Sequence, residues 1–119
     1  MKFLLVDDSS TMRKIVGLAL KSGEYLFEEA ESAEIALEKI SKEKYDFFLI
    51  DVNMPGMNGI ELTKKIRGMS NYQKTPIIIL TTEKEESFIS LGKSAGANDW
   101  IVKPFQKEVL LEQIKKYLA

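Results

Sequence analysis

Residues 47–59 read FFLIDVNMPGMNG. Four apolar residues, Phe47 to Ile50, run straight into a carboxylate at Asp51, and Pro55, Gly56 and Gly59 then break the chain. The apolar run has the length of a buried strand. Asp, Asn, Pro and Gly are the residues that stop a strand and turn the chain. Asp51 is therefore either a turn former or a reactive group held at the carboxyl edge of a sheet. The segments on either side separate the two readings.

Upstream, Phe3–Val6 is a short β run, and Met12, Ile15, Val16 and Ala19 follow at helical spacing, with Gly23 to end the helix. A weaker strand covers about 25–30, its acidic content placing it at a sheet edge. Ser32 is the N-cap of a helix through Ile40 with Ile35, Ala36 and Ile40 facing inward. Downstream of the quoted stretch, a helix from about Gly59 to Arg67 uses Leu62 and Ile66. Pro76 opens Ile77-Ile78-Ile79-Leu80, the aliphatic run of a central parallel strand covered on both faces. A helix near 85–93 uses Phe88 and Leu91 and is capped by Gly96; Trp100–Val102 is a last strand. A final helix, about 106–118, presents Val109, Leu110, Ile114 and Tyr117. Five strands alternating with five helices predict a parallel sheet with helices on both faces, in one domain spanning 1–119.

Composition narrows the chemistry. Hydrophobic residues at 45% and charged residues at 29% suit a soluble globular protein, and a net charge of −1 implies no general affinity for nucleic acid. The absence of cysteine excludes disulfides, thiolate metal sites and cysteine nucleophiles; the absence of histidine excludes imidazole bases and His-ligated zinc. The apolar start Phe3–Val6 is too short for a secretion signal and runs into Asp7-Asp8. No apolar run approaches the ~18 residues of a membrane span. A cytoplasmic location is expected.

Open parallel sheets place their ligands beyond the carboxyl ends of the strands. Those positions hold Asp7 and Asp8 after the first strand, Asp51 and Asn53 after the third, Thr81, Thr82 and Glu83 after the fourth, and Lys103-Pro104 after the fifth. Taken singly, Asp7-Asp8-Ser9-Ser10 is a helix cap, Thr81 a strand-end hydroxyl, Lys103 a solvated charge and Asp51 a turn former. Brought to one edge they become something else. Three carboxylates packed together repel, unless cations compensate. Oxygen donors without His or Cys suit magnesium or manganese. An aspartate can accept a phosphoryl group as an acyl phosphate, and such a transfer chiefly requires neutralisation of the phosphoryl oxygens.

DDSSTMRK at 7–14, DVNMPGMNG at 51–59, LTTE at 80–83 and IVKPF at 101–105 together resemble response-regulator receiver domains, the chemotaxis branch most closely. The resemblance covers essentially the whole chain. It implies a flavodoxin-like (βα)5 doubly wound fold with strand order 2-1-3-4-5. It implies that Asp51 is phosphorylated by a histidine kinase, of the chemotaxis (CheA-like) type. Asp8 and Asp51 would bind magnesium through carboxylates, Asn53 through its backbone carbonyl and Asp7 through a water. Thr81 and Lys103 would contact the phosphoryl oxygens, with a cis Lys103-Pro104 bond aiming the lysine. Thr81 and Trp100 would form the switch, and the fourth helix, fifth strand and fifth helix the output face. A flagellar motor switch protein is the implied target, a phosphatase a further partner, and a monomer the expected state.

Two positions depart from the family pattern. Trp100 stands where Tyr or Phe is usual, and its indole N–H needs a partner. Thr82 stands where a small residue is frequent; it reads either as a restriction on the site or as a plain surface residue. Among other functions, an aspartyl phosphohydrolase needs a second aspartate as acid and base, and here Asn53 stands in that place. A flavin binder needs hydroxyls and free N–H groups after the first strand, where Asp7-Asp8 would repel a phosphate. A phosphorelay intermediate and a receiver cut from a longer regulator remain as alternatives within the family reading.

Overall fold

The computed structural model describes residues 1–118. Five parallel strands, β1 (Lys2–Val6), β2 (Leu26–Ala30), β3 (Phe47–Ile50), β4 (Ile77–Thr81) and β5 (Asp99–Val102), lie in the order β2-β1-β3-β4-β5. The α-helices between and after them are α1 (Ser10–Ser22), α2 (Ala33–Lys42), α3 (Gly59–Arg67), α4 (Glu86–Ala95) and α5 (Lys107–Leu118), with a 3-10 turn at Ser70–Tyr72. This is the flavodoxin-like doubly wound fold that the alternating pattern and the resemblance imply. The order reverses between β1 and β3, where such sheets form their crevice.

Alternation along the strands sorts the core onto two faces. Leu4, Val6, Phe48 and Ile50 pack with Ala33, Ala36, Ile40, Leu62 and Ile66 of α2 and α3. Phe3, Leu5, Phe47, Leu49, Ile78 and Leu80 pack with Val16, Ala19, Leu20, Leu110 and Ile114 of α1 and α5. The helix ends follow their sequence signals. Ser9 caps α1 by accepting from Met12 N–H, and Ser32 caps α2 by accepting from Ile35 N–H. Asn58 and Glu61 form a reciprocal capping box on α3.

Four helix faces differ from expectation. Ile15, assigned to the inner face of α1, is 50% exposed, because Val16, Gly17, Ala19 and Leu20 make the contact with the sheet. On α4, Phe88 and Leu91 point outward and the buried positions are Gly92 and Ala95. On α5, Val109 is exposed while Leu110 and Ile114 are buried, with Tyr117 half-buried. Ile35 of α2 is likewise only half-buried. In α4 the cause is steric: a Cβ on Gly92 would lie 2.6 Å from the Trp100 ring, so the helix meets the sheet through small residues.

The start of α3 is set by a similar close approach. The Gly59 N–H donates to the Val52 carbonyl at 3.0 Å, and a Cβ there would overlap the Asp51 carbonyl oxygen. At the other end of α3, Arg67 donates to the carbonyls of Gly96 (2.9 Å), Tyr72 (2.7 Å) and Thr75 (2.6 Å) and to Asn98 Oδ1 (2.9 Å). Only glycine fits at 59. Gly59→Ala is expected to destabilise the protein by ~3 kcal/mol, since the clash is with backbone that must shift. Urea denaturation of the variant beside wild type measures it.

Candidate functional site

The sheet ladder itself carries the site residues to one level. Val6 is in register with Ile50, and Thr81 with Val102. One residue further on, Asp7 N–H donates to the Ala30 carbonyl at 3.1 Å and Asp51 N–H to the Val6 carbonyl at 2.9 Å. Lys103 N–H donates to the Thr81 carbonyl at 2.8 Å. Asp7, Asp51 and Lys103 therefore leave the sheet side by side, although 96 residues separate Asp7 from Lys103 in the chain.

Their side chains meet. Lys103 Nζ lies 2.6 Å from Asp7 Oδ2 and 3.9 Å from Asp51 Oδ2, and all three residues are buried. Asp7 Oδ1 accepts in addition from the Ser9 N–H at 2.9 Å, so the first turn of α1 fixes the carboxylate's orientation. The Lys103-Pro104 peptide is cis. Thr81 is fully buried behind the cluster, its Oγ1 accepting from the Glu83 N–H at 3.3 Å. Asp8 is exposed at the rim, yet Asp7, Asp8 and Asp51 each place a carboxylate oxygen within 4.8 Å of the others.

A cleft of about 500 Å³ opens on this cluster, lined by Asp7, Asp8, Asp51, Thr82 and Lys103 among its polar residues. Its opposite wall is apolar: Met12 and Ile15 from α1, Pro104 and Phe105 after β5. That wall was missed in the sequence because Ile15 fits a helical core stripe equally well. Thr82 is exposed and stands on the cleft edge. Asn53 and Trp100 lie outside the lining. Asn53 is exposed in the loop after β3, between the buried side chains of Val52 and Met54. Trp100 is half-buried on β5, its ring facing Gly92 and its Nε1 donating to the Glu83 carbonyl at 2.9 Å. The indole thus has the partner its N–H requires.

The chemistry of the donor set fits a hard divalent cation. The converging donors are carboxylate oxygens, and the chain has no histidine or cysteine to favour a softer metal. The electrostatics agree. Burial raises the Asp51 carboxyl above its ordinary value, opposed by the Lys103 charge and the Thr81 hydroxyl; Asp7 adds to the rise and the Asn53 backbone lowers it. A desolvated carboxylate gains most from a second cation.

An acidic cluster and a buried lysine thus stand together at the crevice of a doubly wound sheet. Residues 3–115 match the response regulator receiver domain. The chain belongs to that family. It is 42% identical over its whole length to a chemotaxis protein CheY homolog of Campylobacter jejuni, covering 93% of that protein. It is 43% identical over its whole length to the chemotaxis protein CheY1 of Helicobacter pylori, covering 98% of it. Among solved structures, Vibrio cholerae chemotaxis protein CheY4 superposes with a TM-score of 0.92 at 41% identity, over 98% of this chain and 97% of that one. The receiver domain of the Pseudomonas aeruginosa sensor histidine kinase PA1611 does so with a TM-score of 0.90 at 26% identity, over 98% and 96%. That structure has a magnesium ion coordinated in its active-site cleft. The chain is thus a CheY-like response-regulator receiver of the two-component type.

The raised Asp51 carboxyl has a consequence for stability. The folded protein holds this proton more tightly than the unfolded chain, whose aspartate titrates near 3.8. Below that pH both states are protonated and the effect vanishes. As pH rises through the folded value, stability is lost, and the loss is complete above it. At pH 7 without divalent cations, Asp51→Asn is therefore expected to melt at a higher temperature than wild type, with the gap closing in acid. Thermal scans across pH test the sign.

Proposed function

We propose that Asp51 accepts a phosphoryl group from the phosphohistidine of a histidine kinase, and that the resulting acyl phosphate is a signal read by a partner protein. The observation that carries this reading is the buried Lys103 ammonium, 2.6 Å from Asp7 and 3.9 Å from Asp51 at the floor of an open cleft. A fixed cation there neutralises charge that a phosphoryl group brings. In the step, an Asp51 carboxylate oxygen bonds to phosphorus while the phosphorus–nitrogen bond breaks, the electron pair leaving with the imidazole. Hydrolysis breaks the new phosphorus–oxygen bond by attack of water, returning the carboxylate and inorganic phosphate. These 119 residues hold no histidine, so the donor imidazole lies outside them.

Asp8 and Asp51 through carboxylates, Asn53 through its backbone carbonyl and Asp7 through a water would hold magnesium or manganese. When bound, the ion supplies further charge neutralisation at the phosphoryl oxygens. Lys103 and the Thr81 hydroxyl each bond one of those oxygens. Asn53, an amide where a phosphohydrolase has a second carboxylate, cannot act as proton donor and acceptor in turnover. The chain is accordingly a phosphoacceptor that assists its own phosphorylation and dephosphorylation.

The switch runs through Thr81 and Trp100. Glu83 links them, its N–H bonded to Thr81 Oγ1 and its carbonyl to the Trp100 indole. A Thr81 hydroxyl that turns to the phosphoryl group releases the Glu83 N–H, and the loop with Trp100 can repack. The surface affected is α4, β5 and α5, where exposed Phe88, Leu91 and Val109 offer apolar contact. The chemotaxis relatives at 41–43% identity favour a chemotaxis (CheA-like) kinase as donor and the flagellar motor switch as target. In this reading the protein works as a monomer in the cytoplasm.

With magnesium and acetyl phosphate, wild type is expected to gain the mass of one phosphoryl group and to change its Trp100 fluorescence; Asp51→Asn is expected to do neither. Lys103→Ala is expected to slow phosphorylation roughly 100-fold, the loss typical of one charge-stabilising donor. A folded wild type that gains no mass under phosphodonor would sink the proposal.

A further inference from the structure

One hydrogen bond to the loop after β3 comes from a different element. If Asn53 ligates a cation through its backbone carbonyl, as proposed above, no rotamer of its own can bring that oxygen into place. The conformation of residues 52–58 is then itself the ligand. On its inner side the loop is held by burial of Val52 and Met54 and by the Gly59 N–H on the Val52 carbonyl. On its outer side it turns at Gly56, in the left-handed region at φ 79°. At that turn stands Glu34 of α2. Its Oε2 accepts from the Met57 N–H at 3.2 Å, and a Cβ on Gly56 would lie 3.1 Å from the same oxygen.

Among the described residues, Glu34 is the only side chain of another element that hydrogen-bonds to residues 52–57. It is well placed to act as an anchor. Glu34 lies in the first turn of α2, whose start is capped by Ser32 and whose Ala33, Ala36 and Ile40 are buried against the sheet. The carboxylate thus ties the turn at Gly56 and Met57 to a rigid element of the preceding crossover. It does so from the surface, without joining the core or the cleft lining.

We infer that Glu34 is a positioning residue for the cation site: by accepting the Met57 N–H it holds the β3–α3 loop so that the Asn53 carbonyl faces the acidic cluster. This rests on the proposed function above, and the two are separable by experiment. The full-length chain as wild type, Glu34→Ala and Glu34→Gln is titrated with magnesium, read by Trp100 fluorescence, and with manganese, read by its paramagnetic resonance signal. Amide exchange at Met57 is followed in the same three proteins without metal.

Loss of one hydrogen bond of ordinary net strength, as for this exposed contact, is worth roughly a three- to tenfold change in affinity. Glu34→Ala is expected to weaken both cations by that factor and to speed exchange at Met57, with the unfolding midpoint little changed. Glu34→Gln keeps a carbonyl oxygen that can accept the same N–H, and is expected to bind within about twofold of wild type. Glu34→Ala binding both ions as wild type does would overturn the inference. So would Glu34→Gln as weak as Glu34→Ala, because the effect would then be one of charge. Wild type that binds neither ion would overturn the cation site itself, and this inference with it.

Discussion

One ammonium holds two buried carboxylates together at the end of a sheet. Lys103 belongs to the end of β5, Asp7 to the end of β1 and Asp51 to the end of β3. In surroundings of low polarity, an ammonium between two carboxylates offsets their mutual repulsion. Lys103 reaches both carboxylates only when three strands distant in sequence are in register, so correct topology and a viable site are a single condition. The backbone ladder meets that condition through the bonds of Asp51 N–H to Val6 and Lys103 N–H to Thr81. The geometry that stabilises the cluster is also the geometry that leaves a cation facing the cleft.

The fold was legible because buried parallel strands and amphipathic crossovers leave distinct patterns. Phe47–Ile50 and Ile77–Leu80 read as central strands, and both are buried throughout. The caps at Ser32, Gly23 and Gly96 were visible as residue types. What the pattern did not contain was the rotation of each helix about its axis. In α1 and α4 the apolar residues cover more than one face; Gly17 joins Val16, Ala19 and Leu20 in the sheet contact of α1, and Gly92 and Ala95 make that of α4. Small residues carry little hydrophobic signal, so Ile15, Phe88 and Leu91 were assigned inward when they point out.

The acidic cluster was legible for a related reason. Each member is the residue at or just after a strand end, and a parallel sheet aligns those ends. The other contributors have no such marker. Ile15, Pro104 and Phe105 form a cleft wall from separate elements. Glu34 meets Met57 across 23 residues by a side chain on a helix surface. Nothing in the sequence distinguishes that glutamate from the other exposed acids, because the contact depends on how a loop folds back. Local propensity locates elements and their ends; it does not locate contacts between a helix surface and a loop.

Trp100 and Gly92 share one volume. The indole occupies space that any side chain at 92 would need, and α4 lies close to β5 because that side chain is missing. The two positions are therefore epistatic. A larger residue at 92 is admissible only with a smaller ring at 100. A smaller ring at 100 beside Gly92 leaves a void that α4 must settle into or tolerate. In a lineage of such proteins, a tryptophan at this position should therefore travel with a glycine eight residues before it.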